Sequence, residues 1–452
     1  MSLRLLCRLP ATAAVHRRAS ASVSGRSRSA SGASGGSGSH SSDGASSNRE
    51  SELAHLLGSS TAAIHADGAL PSTSTDFDIA PPLSLSTTFE CHDEAHVYSR
   101  ISNPTRERCE ALLGAIEGTA DQAAHAVLYA SGLAATFGCL SHLLPRRIAI
   151  SGGYHGTHLV VEQMRRISRG TSCEPLPLPP PDGVASSGLG AGDVLWLETP
   201  RNPDCLCADV AAYVDAARVA GGVRVVVDST FAPPPLQRPL ALGADVVMHS
   251  TTKMLAGHSD ALGGALCVAD GSLAAMLREE RTALGATPGA LEVWLLMRSL
   301  RTLHLRAERQ STTAAVLAAW LHEGATGAPG HPLAGLVHAV HHPSLPSDPS
   351  HAIARRQMPE GGYGGCFALE LATEAAARRL PSALRLFRDA TSLGGVESLI
   401  EWRRKYDGAV SPRLLRVSVG LEEAGHLKAD LQRGILDASR TVLGGLGSAA
   451  DE

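Results

Sequence analysis

The sequence predicts an α/β fold: a large, mostly parallel sheet sandwiched by helices, followed by a smaller α+β unit. Short apolar runs alternate with helix-periodic stretches from about residue 103 to residue 268, and a long helical region then leads to a second strand-bearing stretch. Two of the early runs also end on residues able to do chemistry, Asp228 and Lys253. In parallel sheets ligands collect at the carboxyl ends of the strands, so these two residues are expected in one site.

Taken in order, residues 1–55 stand apart. Arg4, Arg8, Arg17, Arg18, Arg26 and Arg28 precede the first acid, Asp43, amid Ser, Ala and Gly, and Leu3, Leu5, Leu6 and Leu9 give the extreme end a short amphipathic character. Such a segment cannot bury a core. Its arginine-rich, acid-poor composition predicts a disordered transit peptide, mitochondrial first, with a cytoplasmic location as the alternative. An N-terminal arm and large domain are expected over 56–310, and a C-terminal α+β domain over 311–452. Asn103 to Gly118 has helical period, with proline at its start and glycine at its end. Arg147–Ser151, Val194–Glu198, Arg224–Thr230, Asp245–Ser250 and Gly264–Val268 read as strands, and Ala208–Ala220 as an amphipathic helix. Pro175–Gly192 reads as a surface loop. Ala290–Glu323 reads as one long helical region. Beyond it, Gly364–Leu371 and Leu414–Gly420 read as strands, Glu374–Asp389 and Ala424–Leu446 as helices, and His338–His342 as a loop.

Composition excludes several classes. A net charge of −4 over 452 residues argues against a nucleic-acid binder. No window of 18 apolar residues occurs, so no membrane span is expected. The nine cysteines are scattered, and Cys205 and Cys207 lack a matching second pair, so neither a disulfide framework nor a metal site is predicted.

The stretch His249-Ser-Thr-Thr-Lys253 carries the chemistry. It places a lysine after two spaced hydroxyls, Ser250 and Thr252, at the end of a buried apolar run. The amine can condense with an aldehyde while the hydroxyls hold a phosphate, a combination that pyridoxal 5'-phosphate requires. Asp228 ends another strand, where a carboxylate can keep the pyridine nitrogen protonated and make the ring an electron sink. Gly132 and Leu133 open an apolar helix whose free N–H groups suit a phosphate. His249, His258 and His304 read as packing or loop residues.

These motifs, with Tyr98-Ser-Arg100-Ile-Ser-Asn103-Pro-Thr, Ser131-Gly-Leu-Ala-Ala, Tyr154-His-Gly-Thr157, Glu198-Thr-Pro-Arg-Asn202-Pro, Asp228-Ser-Thr230-Phe, Ser392-Leu-Gly-Gly-Val-Glu-Ser-Leu-Ile400 and Leu415-Arg416-Val-Ser-Val-Gly, occur in one order. The chain thereby resembles the Cys/Met-metabolism family of pyridoxal-phosphate enzymes: cystathionine γ-synthases, cystathionine γ- and β-lyases and methionine γ-lyases. The resemblance spans about residues 59–440. It implies the fold of PLP-dependent transferases of fold type I. It also implies Lys253 as the lysine that bonds the cofactor and later moves the substrate's Cα proton. Tyr154 would stack on the ring and join proton transfer. Thr230 would lie near the ring, and Asn202 would bond the cofactor's phenolic oxygen and the substrate. Ser392 would lie on the substrate wall, and Arg416 would hold the α-carboxylate by its planar fork. Tyr98 and Arg100 would reach the phosphate of a neighbouring subunit, in a homodimer or homotetramer with shared sites; on their own they read equally as interface packing.

The chain also departs from the family. Thr391 stands where an acid commonly precedes Ser-Leu-Gly-Gly, Leu159 and Ile101 stand where arginines are common, and Glu401-Trp-Arg-Arg-Lys-Tyr-Asp-Gly408 replaces a His-Pro-x-x-Met-Thr-His segment. Arg403, Arg404 and Lys405 read first as a solvated basic face, with a distal role as the alternative. The expected function is the making or breaking of a C–S bond in cystathionine or a related thioether amino acid, leaning narrowly to γ-synthase-like or lyase chemistry. The alternatives are another enzyme on this fold, such as an aminotransferase, or a noncatalytic relative.

Overall fold

The computed structural model describes residues 59–69, 79–90, 96–358 and 362–447. The expected transit segment, residues 1–55, lies outside the described residues. Helix α1 (Pro104–Glu117) starts as its sequence dictates: Asn103 Oδ1 accepts from the N–H groups of Thr105 and Arg106 at 3.0 and 3.3 Å, and Pro104 fills the first turn. There follow β1 (His125–Tyr129), α2 (Gly132–Leu143), β2 (Arg147–Ala149), α3 (His155–Ile167), β3 (Glu174–Leu176), β4 (Val194–Glu198), α4 (Val210–Val219), β5 (Arg224–Asp228), β6 (Val246–His249), β7 (Gly264–Val268) and α5 (Gly271–Leu284).

The seven strands form one sheet in the order β1-β7-β6-β5-β4-β2-β3, in which β7 alone runs antiparallel to its neighbours. Both faces are covered. Val225 and Val227 pack into one apolar cluster while Val226 packs into another on the opposite face, the alternation that a strand imposes. That is why these strands read as unbroken apolar runs. Strand β1 escapes a sequence reading because its short apolar run, Ala126–Tyr129, leads into a helix and has no period of its own. A buried ion pair fixes it: Glu110 of α1 accepts from Arg281 of α5 at 2.5 Å and from the N–H of Leu128 at 3.0 Å. Burial pushes the Glu110 carboxyl up, but Arg281 and Arg278 outweigh it and hold it below its ordinary range.

The expected long helix is two, α6 (Ala290–Leu300) and α7 (Leu303–Ala325), parted at Arg301 and Thr302. The boundary placed at 310 falls inside α7, whose later residues Ala314, Leu317 and Leu321 pack on the second sheet's core. Then come β8 (Val337–His341), α8 (His351–Gln357), β9 (Cys366–Leu371), α9 (Glu374–Ala383), β10 (Arg388–Asp389), β11 (Leu399–Trp402), β12 (Leu414–Ser418) and α10 (Ala424–Gly447). The second sheet is ordered β10-β11-β12-β9-β8.

Three local expectations change. His338–His342 is not a loop: it forms most of β8, an edge strand with a bulge between Val337 and Ala339 that breaks its alternation. The helix expected to reach Asp389 stops at Ala383, because Asp430 of α10 takes the N–H groups of Arg385 and Leu386, the latter at 2.8 Å. Part of the expected 175–192 loop, Pro175 and Leu176, belongs to β3 and pairs with β2. No described helix is long and apolar enough to cross a membrane.

Candidate active site

A cavity of about 440 Å³ is walled by the carboxyl ends of the first sheet on one side and by β11, β12 and the loop before them on the other. Parallel registry brings its acids together: Glu198 ends β4 opposite Asp228, which ends β5 opposite Met248 of β6. Lys253 lies in the turn after β6. Its Nζ donates to Ser392 Oγ at 2.9 Å. Burial, then the charge of Arg416, pulls its pKa below 10.5, toward a neutral amine.

Asp228 is buried and its Oδ1 accepts from the N–H of Thr230 at 3.0 Å. Burial raises its carboxyl above its ordinary value. Glu198 accepts from the N–H groups of Tyr154 at 2.7 Å and Asn202 at 2.8 Å, tying two cavity loops to one strand end. Burial, then the neighbouring charge of Asp228, pushes it up to about 8. The sequence reading quoted Glu198 without a role; its signal was the same as that of Asp228, an acid closing an apolar strand.

Opposite these acids the wall turns to phosphate chemistry. Ser131 Oγ caps α2 by accepting from the N–H of Ala134 at 3.1 Å, and the first N–H groups of α2 have no partner within the helix. A Cβ on Gly132 would sit 3.0 Å from that of Ser250, so glycine alone lets this backbone approach the Ser250 hydroxyl. Thr252 Oγ1 donates to the carbonyl of Gly263 at 3.2 Å and accepts its N–H at 3.1 Å. Thr230 Oγ1 accepts from the N–H of Ser250 at 2.9 Å. The helix end, glycine cradle and hydroxyls suit a phosphate, and the same cavity holds a carboxylate and an amine. Pyridoxal phosphate needs that set of groups in that arrangement.

The amino-acid side is equally organised. Arg416 donates from Nη1 to Asn202 Oδ1 at 3.0 Å and from Nη2 to the carbonyl of Ser392 at 3.1 Å, and it pairs with Glu401 Oε2 at 2.7 Å. Ser392 holds φ at +103°, a strained value for a residue with a Cβ, and from there its hydroxyl and carbonyl reach Lys253 and Arg416.

The cavity therefore gathers Gly132, Leu133, Tyr154, Asn202, Asp228, Thr230, Ser250, Thr252, Lys253, Ser392 and Arg416. Tyr98 and Arg100 are not on its wall: both are exposed, the guanidinium 5.3 Å from the phenol ring centre. His249 is buried, with its Nε2 2.5 Å from Glu117 Oε1, and does not line the cavity. The cavity adds residues that the sequence reading left out, Glu401 and Tyr406 among them, and one that it placed in solvent first, Arg403. Arg403 is turned inward and buried, whereas Arg404 and Lys405 are exposed as expected.

Residues 60–436 match the family described as Cys/Met metabolism PLP-dependent enzymes. The chain belongs to this family. It is thus a pyridoxal-phosphate enzyme of fold type I, among the carbon–sulfur lyases and synthases. A cystathionine γ-synthase of Mycobacterium tuberculosis is 37% identical over 398 residues, covering 84% of this chain and 97% of the relative. A putative cystathionine γ-lyase of Streptomyces coelicolor is 38% identical over 344 residues, covering 75% and 83%. The crystal structure of an apo methionine γ-lyase from Micromonospora echinospora superposes with a TM-score of 0.73 at 38% identity, covering 83% of this chain and 98% of that one.

Proposed function

We propose that this enzyme makes or breaks a C–S bond of cystathionine or a related thioether amino acid, by β- or γ-elimination or by γ-replacement, with γ-synthase-like or lyase chemistry favoured. The observation that carries the proposal is the bond from Lys253 Nζ to Ser392 Oγ, which holds an amine of depressed basicity in one cavity with Asp228 and Arg416. Pyridoxal phosphate, when bound, supplies an aldehyde carbon and a ring that withdraws electrons from the substrate's α-carbon. Asp228 would hold the ring nitrogen by its carboxylate. The α2 end, Ser250 and Thr252 take the phosphate. Tyr154, on the same wall, would cover one face of the ring and offer its phenol to the proton path. Arg416 grips the substrate's α-carboxylate with Asn202 beside it, turning the α-hydrogen toward Lys253 Nζ. That amine, neutral at lower pH than an ordinary lysine, accepts the proton and returns it further along the side chain.

Tyr98 and Arg100 are assigned to the phosphate of a neighbouring subunit, a role supported by their exposure outside the chain's own cavity. The deciding experiment gives purified holoenzyme cystathionine, then O-acylhomoserine with cysteine, then homocysteine, and identifies the products. Ammonia and a 2-oxo acid formed with no added amino acceptor mark a lyase; cystathionine formed from the second mixture marks a synthase. If all three are inert while another amino acid reacts, the proposal fails.

A further inference from the structure

The segment 401–406, which replaces the usual family sequence, meets the cavity at the end of β11 and in the 3-10 turn Arg403–Lys405 that follows it. Ile400 points into the second sheet's apolar core, and Trp402 donates its Nε1 to the carbonyl of Pro412 at 2.8 Å. Glu401 and Arg403, two apart, share the cavity face instead. Glu401 lies directly opposite Arg416 in the register of β11 and β12. Its Oε2 is shared by two guanidinium groups, at 2.7 Å from Arg416 and 2.9 Å from Arg403.

Three lysine or arginine side chains line the cavity. The proposed function employs Lys253 and Arg416, and Arg403 is left over. It is 5% exposed, and its Nε is a buried donor with no partner. That nitrogen is sealed from the cavity, so what Arg403 can offer a ligand is the outer edge of its guanidinium beyond the Nη1 that serves Glu401. Apart from Glu401, which it shares with Arg416, the same cavity carries no acid before Ser392: Thr391 stands where the family commonly has one, and Leu393 and Tyr406 also line the wall. We propose that Arg403, steadied by Glu401, binds a carboxylate at the far end of the substrate's side chain, so that the enzyme selects dicarboxylic amino acids over those with uncharged ends. This deepens the function proposed above and rests on it for the placement of the α-carboxylate at Arg416. Arg403 acts here as a specificity residue, taking no part in bond breaking.

The test separates the two proposals by using ligands that do not react. Holoenzyme is titrated calorimetrically with adipate and with hexanoate, which match in length and differ by one carboxylate. The wild type binds adipate about tenfold or more tightly than hexanoate, the scale of one added charge-assisted fork. Arg403→Met brings the ratio close to one. Arg403→Lys, which keeps the charge and the partnership with Glu401, lowers the ratio at least about threefold and decides the matter if the methionine variant does not fold. In turnover, Arg403→Met raises KM for cystathionine far more than for methionine, with little change in kcat. A wild type without preference for adipate overturns the subsite, as does an unchanged ratio in the lysine variant. An adipate preference in an enzyme that turns over no thioether keeps the subsite and removes the C–S function.

Discussion

Arg416 makes three contacts through one planar group, to Asn202, to the Ser392 carbonyl and to Glu401. That geometry holds the fork in place before a carboxylate arrives, so little ordering remains to be done on binding. A lysine keeps the charge but cannot reproduce the fork. Arg416→Lys is therefore expected to lower kcat/KM by roughly 10- to 100-fold, about 1.4–2.7 kcal/mol, chiefly through KM. Steady-state kinetics on the substrate found active in the panel measures this, and an unchanged KM would contradict the assignment. The sequence made Lys253, Asp228 and Arg416 readable because each is a charged residue stranded beside apolar strand residues. Arg403 could not be told from Arg404 and Lys405, for which a distal role stood only as the alternative to a solvated face. In a run of Arg-Arg-Lys every charge prefers water, and only the turn that follows β11 decides which one faces inward.

At the level of elements, β4, β5 and β6 end in line and crowd Glu198 against Asp228. The crowding has a pH signature. Glu198 holds its proton up to about 8 in the folded chain, against an ordinary 4.5. Below the lower value both states are protonated and nothing changes. Between the two values unfolding releases a proton, so the contribution of this residue to stability falls as pH rises and is gone above about 8. In cofactor-free protein the Glu198→Gln variant should lack this slope, a difference of about 1–4 kcal/mol between pH 5 and 8. Thermal melts of the two proteins across that range check it; parallel curves would show Glu198 ionised throughout. Strands with both faces buried, such as β5 and β6, were plain in the sequence as continuous apolar runs. Strand β8 was not, because its bulge interrupts the alternation that identifies a half-exposed strand.

For the whole molecule, the chain beside Tyr98 bears further large apolar side chains, the exposed Val97 and Ile101, and Leu133 and Leu262 are exposed separately at the cavity. Apolar surface of this kind would suit burial against a second copy, as the role proposed for Arg100 requires. If Arg100 serves a neighbour's site, inactive Lys253→Ala and Arg100→Ala proteins, unfolded together and refolded as a mixture, should recover roughly a quarter of wild-type activity in a dimer, one competent site in each mixed pair. Recovery no greater than the sum of the two separate variants would place Arg100 outside the neighbour's chemistry. The opposition of Glu401 and Arg416 also has a genetic consequence. Losing a single codon from the β11 hairpin would swap inside for outside, presenting a hydrocarbon to incoming amino acids and forcing an acid among leucines. Exchanging side chains within the strand at fixed length keeps that partition of faces, so it is the milder way to retune this wall.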